Sequence, residues 1–110
     1  MANYQAQVTD GDLITPIALD ATKSTSKVNM INISNNTGVT VAIDVYLYTA
    51  SASFYIVKAV DVPTKTALVI EHSIEFDNGT PGLRIHGDNG AGDDSVDYDV
   101  LINYKLTHAL

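Results

Sequence analysis

The chain has 110 residues, 45% of them apolar, and no cysteine. That length suits one domain and excludes two, and the missing thiols exclude disulfide staples, zinc ribbons and cysteine hydrolases. Acidic residues outnumber basic ones by 13 to 6, for a formal charge of −7, so a nucleic-acid partner, which calls for a cationic stripe, is not expected.

Read in chain order, residues 1–12 are polar and predict an N-terminal arm, with the domain proper at 13–110. The arm lacks the basic and apolar regions of a signal peptide, and no apolar run reaches membrane-spanning length. A soluble product of a cytoplasm, with no membrane partner, is expected. Residues 13–19 predict a strand that is broken or at an edge, because Pro16 cannot donate to a ladder. Residues 28–33 are apolar apart from Asn29 and Asn32 and predict another strand; Asn35-Asn36-Thr37-Gly38 then makes a turn. From 39 to 48 the chain alternates. Val39, Val41, Ile43, Val45 and Leu47 point one way, and Thr40, Ala42, Asp44, Tyr46 and Tyr48 the other. Strands are predicted at 54–62, 68–70 and 83–85, separated by turns at 63–66 and 77–79. The loop 88–92 leads into a last alternating run, in which Val96, Tyr98, Val100, Ile102 and Tyr104 oppose Asp97, Asp99, Asn103 and Lys105, with Leu101 the exception. Leu106 and Leu110 leave an apolar C-terminus that a partner or the domain itself would cover. No segment carries a helical stripe. The sum is an all-β protein: a single antiparallel β-sandwich, jelly-roll or Ig-like, of about seven to eight strands.

Catalysis finds little support. There is no G-x-S-x-G elbow, no glycine-rich phosphate loop, and none of His72, His86 and His108 stands in a metal-binding pattern. The chain is therefore read as not an enzyme and as having no cofactor. The carboxylates Asp88, Asp93, Asp94 and Asp97 are weak calcium candidates, set against the plainer reading of a solvated hairpin loop; the spacing is not that of an EF-hand. Three Asn-x-Ser/Thr matches, at Asn32, Asn35 and Asn78, read as turn and strand chemistry. Among six tyrosines, Tyr98 and Tyr104 fall on an apolar face and are expected in the core. Tyr46 and Tyr48 share a polar face and, with Tyr4, Leu106 and Leu110, are the interface candidates, since tyrosine joins an apolar ring to a polar tip.

The succession Ile33-Ser34-Asn35-Asn36-Thr37-Gly38, the alternating 39–48 strand, Phe54-Tyr55-Ile56-Val57, Val62-Pro63, Leu68-Val69-Ile70 and Leu83-Arg84-Ile85 resembles small β-sandwich virion structural proteins of tailed bacteriophages, of the capsid decoration (cement) type. The resemblance spans residues 28–104 and rests on strand rhythm and the N-N-T-G turn. It implies a non-enzymatic oligomer that binds the major capsid protein or other virion proteins and stabilises the assembled head; it would be made in the host cytoplasm and located in the virion. The alternatives are a neck, tail or tail-fibre component, and a carbohydrate-binding module gripping glycans through Tyr46, Tyr48 and the acidic loop.

Overall fold

The computed structural model describes residues 2–8, 14–17, 24–77, 81–89 and 96–108. They form nine strands: β1 (Ala2–Val8), β2 (Ile14–Ile17), β3 (Ser24–Asn35), β4 (Val41–Tyr48), β5 (Ser53–Val62), β6 (Thr66–Ile70), β7 (Ile74–Asp77), β8 (Gly82–Asp88) and β9 (Tyr98–His108). The first sheet runs β1-β9-β3-β6, with β7 also on β3, and the second runs β2-β8-β4-β5. Every pairing is antiparallel.

Ile70 lies opposite Ile31 and Ile74 opposite Val28, so β6 and β7 form one edge strand interrupted at 71–73. With these two counted together, the eight strands pair first with last, second with seventh, third with sixth and fourth with fifth. That nesting is the jelly roll, which decides between the two sandwich topologies expected.

The core sits between the sheets and is made by period-two alternation. Two rows of register partners cross the first sheet facing inward: Ala6, Val100, Ile33, Leu68 and Tyr4, Ile102, Ile31, Ile70. The row Val57, Val45, Ile85, Ile14 faces them from the second. Ile31, Ile33, Ile43, Val45, Leu83, Ile85 and Ile102 are fully buried. Each such side chain contributes about 1.5–3 kcal/mol relative to leaving it in water. Tyr98 is buried among them and Tyr104 packs half-buried against them, as expected.

Two expectations are corrected, and one strand is added. The N-terminal arm at 1–12 contains edge strand β1, in register with β9 from Ala2 opposite Tyr104 to Val8 opposite Tyr98. Its inward residues are Tyr4, Ala6 and Val8 and its outward ones Gln5 and Gln7, a period-two pattern carried by only two large apolar side chains. Val39 stays outside the core at 55% exposure, since the strand starts at Val41. Strand β7, set beside β3 by its neighbours rather than by its own length, went unrecognised in the sequence.

Asn35 closes this end of the sandwich. Its Nδ2 donates to the carbonyls of Val39 at 2.7 Å and Val62 at 2.9 Å. Its Oδ1 accepts from the Thr37 amide at 3.0 Å and the Thr37 hydroxyl at 2.6 Å. One buried amide thus joins the end of β3 to the turn before β4 and the end of β5. Edge strands carry bulges that spoil further pairing. The β2–β8 register shifts between Ile14 and Ile17, at Pro16. Strand β5 bulges against β4, with Ala59 at φ 53° and its N–H donated to Asp44 Oδ1 at 2.7 Å.

A candidate docking surface on the second sheet

Alternation that buries Val45, Leu83 and Ile85 sends their neighbours to the opposite face. Arg84 lies directly opposite Tyr46, and Tyr46 opposite Tyr55, so an outward row crosses β8, β4 and β5. The Tyr46 and Tyr55 rings meet at 5.1 Å between centroids, tilted by 43°. Lys58 Nζ sits 4.8 Å over the Tyr55 ring, and the Arg84 guanidinium carbon 3.7 Å over the Tyr48 ring. Lys58, Tyr55, Tyr46, Arg84 and Tyr48 therefore form one continuous cation–aromatic cluster, each contact worth about 0.5–2 kcal/mol.

Arg84 is the unusual member. Its Nε is buried and has no hydrogen-bond partner among the described residues. A buried donor left without an acceptor costs about 1–3 kcal/mol. Asp44, on the same face of β4, is engaged elsewhere: its Oδ1 accepts from the Ala59 N–H, and its Oδ2 lies 3.4 Å from His86 Nδ1.

The sequence-derived candidates separate. Tyr46 and Tyr48 share the outer face, but only Tyr46 offers its ring; Tyr48 is 7% exposed beneath Arg84. Tyr4 lies opposite the buried Ile102 and packs against the core rather than outward. Leu106 is placed in β9 opposite Ser26, its side chain outside the described part, and Leu110 lies outside the described residues. Of the calcium candidates, Asp93 and Asp94 lie outside the described residues, and no group of three His, Asp or Glu side chains among the described residues is arranged to hold a metal. Beside Asp97 a shallow cleft of about 230 Å³ is lined also by Asn36, Thr37, Tyr98 and Asp99; Asn36 Nδ2 donates to Asp99 Oδ2 at 2.9 Å.

Arg84, Tyr55 and Lys58 were missed by sequence reasoning. The lone charge in Leu83-Arg84-Ile85 signals that Arg84 faces outward. Its stacking on Tyr48 depends on β8 lying beside β4, which local pattern does not show. Two further surface features follow from the edges. An open groove of about 700 Å³ runs between β5 and β6, floored by Ile56, Val57 and Leu68. On the outer face of the first sheet, Gln5, Leu101, Asn32 and Val69 form an uncharged row.

No protein-family model matches the chain, and no curated protein matches it. Among the solved structures similar to it are viral ones. One is a chain in the crystal structure of the T13 IBDV viral particle, with TM-score 0.54 and 11% identity over 96% of this chain and 31% of that one. Another is in the structure of infectious bursal disease virus Gt strain, with TM-score 0.47 and 14% identity over 98% of this chain and 31% of that one. At such identity the likeness is one of fold, and this chain spans about a third of the length of the viral chain.

Proposed function

We propose that this chain is a non-enzymatic virion structural protein, and specifically a decoration protein that docks on the outside of an assembled head and reinforces it. The observation that carries the reading is the likeness of nearly the whole chain to part of a viral-particle chain, in a jelly-roll topology. The jelly roll also serves lectins and cupins, so fold alone does not select among functions. The strand rhythm and N-N-T-G turn that resemble small phage virion proteins favour the decoration role over the others. So does physics: a domain of this size buries only a modest fraction of its surface and gains stability from any partner of its native state.

Particles labelled with gold-conjugated antibody against the chain test this by electron microscopy. Label spread over the head, together with saturable binding of purified protein to shells that lack it, is the expected result. Label confined to the neck or tail assigns the chain there instead. Particles without label overturn the virion reading.

A further inference from the structure

We propose that β1 is an assembly edge, on which a second copy of this chain adds its own β1, antiparallel, across a two-fold axis at Gln5. The inference goes beyond the decoration reading and does not rest on it. Among the described residues β1 pairs only with β9, so the backbone groups on its other side face no strand. Such an edge is a template for another chain unless it is blunted. The other edges are blunted. Strand β2 is four residues long and carries Pro16 at its register shift. Strand β5 is bulged, with Ala59 in the left-handed region. The β6–β7 edge is interrupted at 71–73, and β7 carries Glu75 and Asp77. Strand β1 has none of these devices. Its seven residues pair with β9 without a shift and include no proline and no charge.

The residues of the strand select the partner. Two chains of net charge −7 repel, and they meet most readily where charge is absent. A two-fold axis requires the patch to match itself. Gln5 is the middle residue of Ala2–Val8, so an axis there pairs the whole strand, whereas one at Tyr4 or Ala6 pairs only 2–6 or 4–8. That register sets the half-buried Tyr4 opposite the partner's half-buried Ala6, a large side chain against a small one. It also sets the exposed Gln5 opposite its own copy. An amide both donates and accepts, so the two glutamines satisfy each other. Tyr4 and Ala6 pack at the margin of the core, and the second copy covers them further.

A single strand edge is at the small end of specific interfaces, so the dimer is reversible. Sedimentation equilibrium of the full chain, from micromolar to millimolar, should show the average mass rising toward twice that of one chain. Gln5→Lys and Gln5→Glu each set like charges opposite each other and should weaken dimerisation about five-fold or more. An equimolar mixture of the two should recover it. The chain has no cysteine, so Gln5→Cys supplies its only thiol. Opposite residues of an antiparallel pair lie about 4.5–5.5 Å apart at Cα, within disulfide reach. Gln5→Cys should therefore oxidise to a covalent dimer about ten-fold faster than Gln7→Cys, whose copies sit about 14 Å apart along the strands. Val69→Lys, on β6, should leave the dimer unchanged. A monomer at every concentration, a dimer indifferent to Gln5→Lys, equal oxidation of the two cysteine variants, or loss of the dimer in Val69→Lys overturns the proposal. Should a charged variant fail to fold, wild-type sedimentation and the cysteine pair still decide. A monomer with head labelling intact removes this edge and leaves the decoration role; the reverse outcome removes the role and leaves the edge.

Discussion

Gly87 tests the packing of the two sheets against each other. It is buried on β8 opposite Ile43, and its backbone lies outside the left-handed region, so an alanine meets no backbone strain. What it meets is Tyr98. A Cβ at Gly87 would lie 2.5 Å from Tyr98 Cε1, 3.1 Å from Cδ1 and 3.2 Å from Cζ. Carbon atoms settle at about 3.5–4.0 Å, so the closest contact is about 1 Å too short. Tyr98 is 2% exposed and packed in the core, so its ring moves only at a cost. Overpacking of this kind costs about 1–3 kcal/mol. Against it stands the reduced freedom of the unfolded chain, which favours alanine by about 0.4–1 kcal/mol. The steric term wins, and Gly87→Ala should lose about 1–2 kcal/mol. At about 4–8 °C per kcal/mol for a domain of this size, Tm falls by roughly 4–16 °C. Urea unfolding followed by circular dichroism should show a lower midpoint at unchanged slope. In a Tyr98→Leu background the same substitution should become neutral or favourable, giving a coupling of about 1–3 kcal/mol. A Gly87→Ala protein as stable as wild type, or a coupling of zero, would refute the placement of that ring between the sheets.

Other perturbations read different parts of the fold. Asn35→Ala removes the side-chain donor to the Val62 carbonyl, leaves the Val39 carbonyl to the Thr37 hydroxyl and frees the turn at Thr37; the expected loss is about 1–3 kcal/mol in urea unfolding, and a loss below about 0.5 kcal/mol would contradict its role as the tie between three segments. Ser26 is fully buried, and its hydroxyl has no hydrogen-bond partner among the described residues. Ser26→Ala should therefore raise stability by about 1 kcal/mol, visible as a higher Tm, whereas a clear loss would mean the hydroxyl is bonded. Ala59→Gly relieves a left-handed residue at φ 53° and should stabilise the β5 bulge by about 0.5–1 kcal/mol. Asp44→Ala removes the acceptor of the Ala59 N–H and should cost about 1 kcal/mol, with faster hydrogen exchange at Ala59 as its local signature.

Much of this architecture is local and therefore legible. Period-two runs place Val41, Ile43, Val45, Val100 and Ile102 inward because a pleated strand leaves no other choice once one face is buried. Pro16 marks an edge for the same kind of reason. Strand β1 escaped because four of its seven positions are Gln or Ala, and it is a strand chiefly through its ladder to β9. Val39 escaped because its period is right but the chain is still in the turn that Asn35 ties. The docking cluster was half legible: alternation turns Tyr46 and Arg84 outward, yet nothing in residues 46–48 or 83–85 says that they are neighbours.

The sequence by itself determined an all-β sandwich with one apolar face per strand, since side-chain alternation and turn chemistry act within a few residues. Only the tertiary structure decided that the strands nest as a jelly roll, that Gly87 leaves room for Tyr98, and that Arg84 lies over Tyr48 with its Nε unmatched. Those contacts join residues far apart in the chain, and their energies depend on which strands become neighbours, a choice made by the packing of the whole domain.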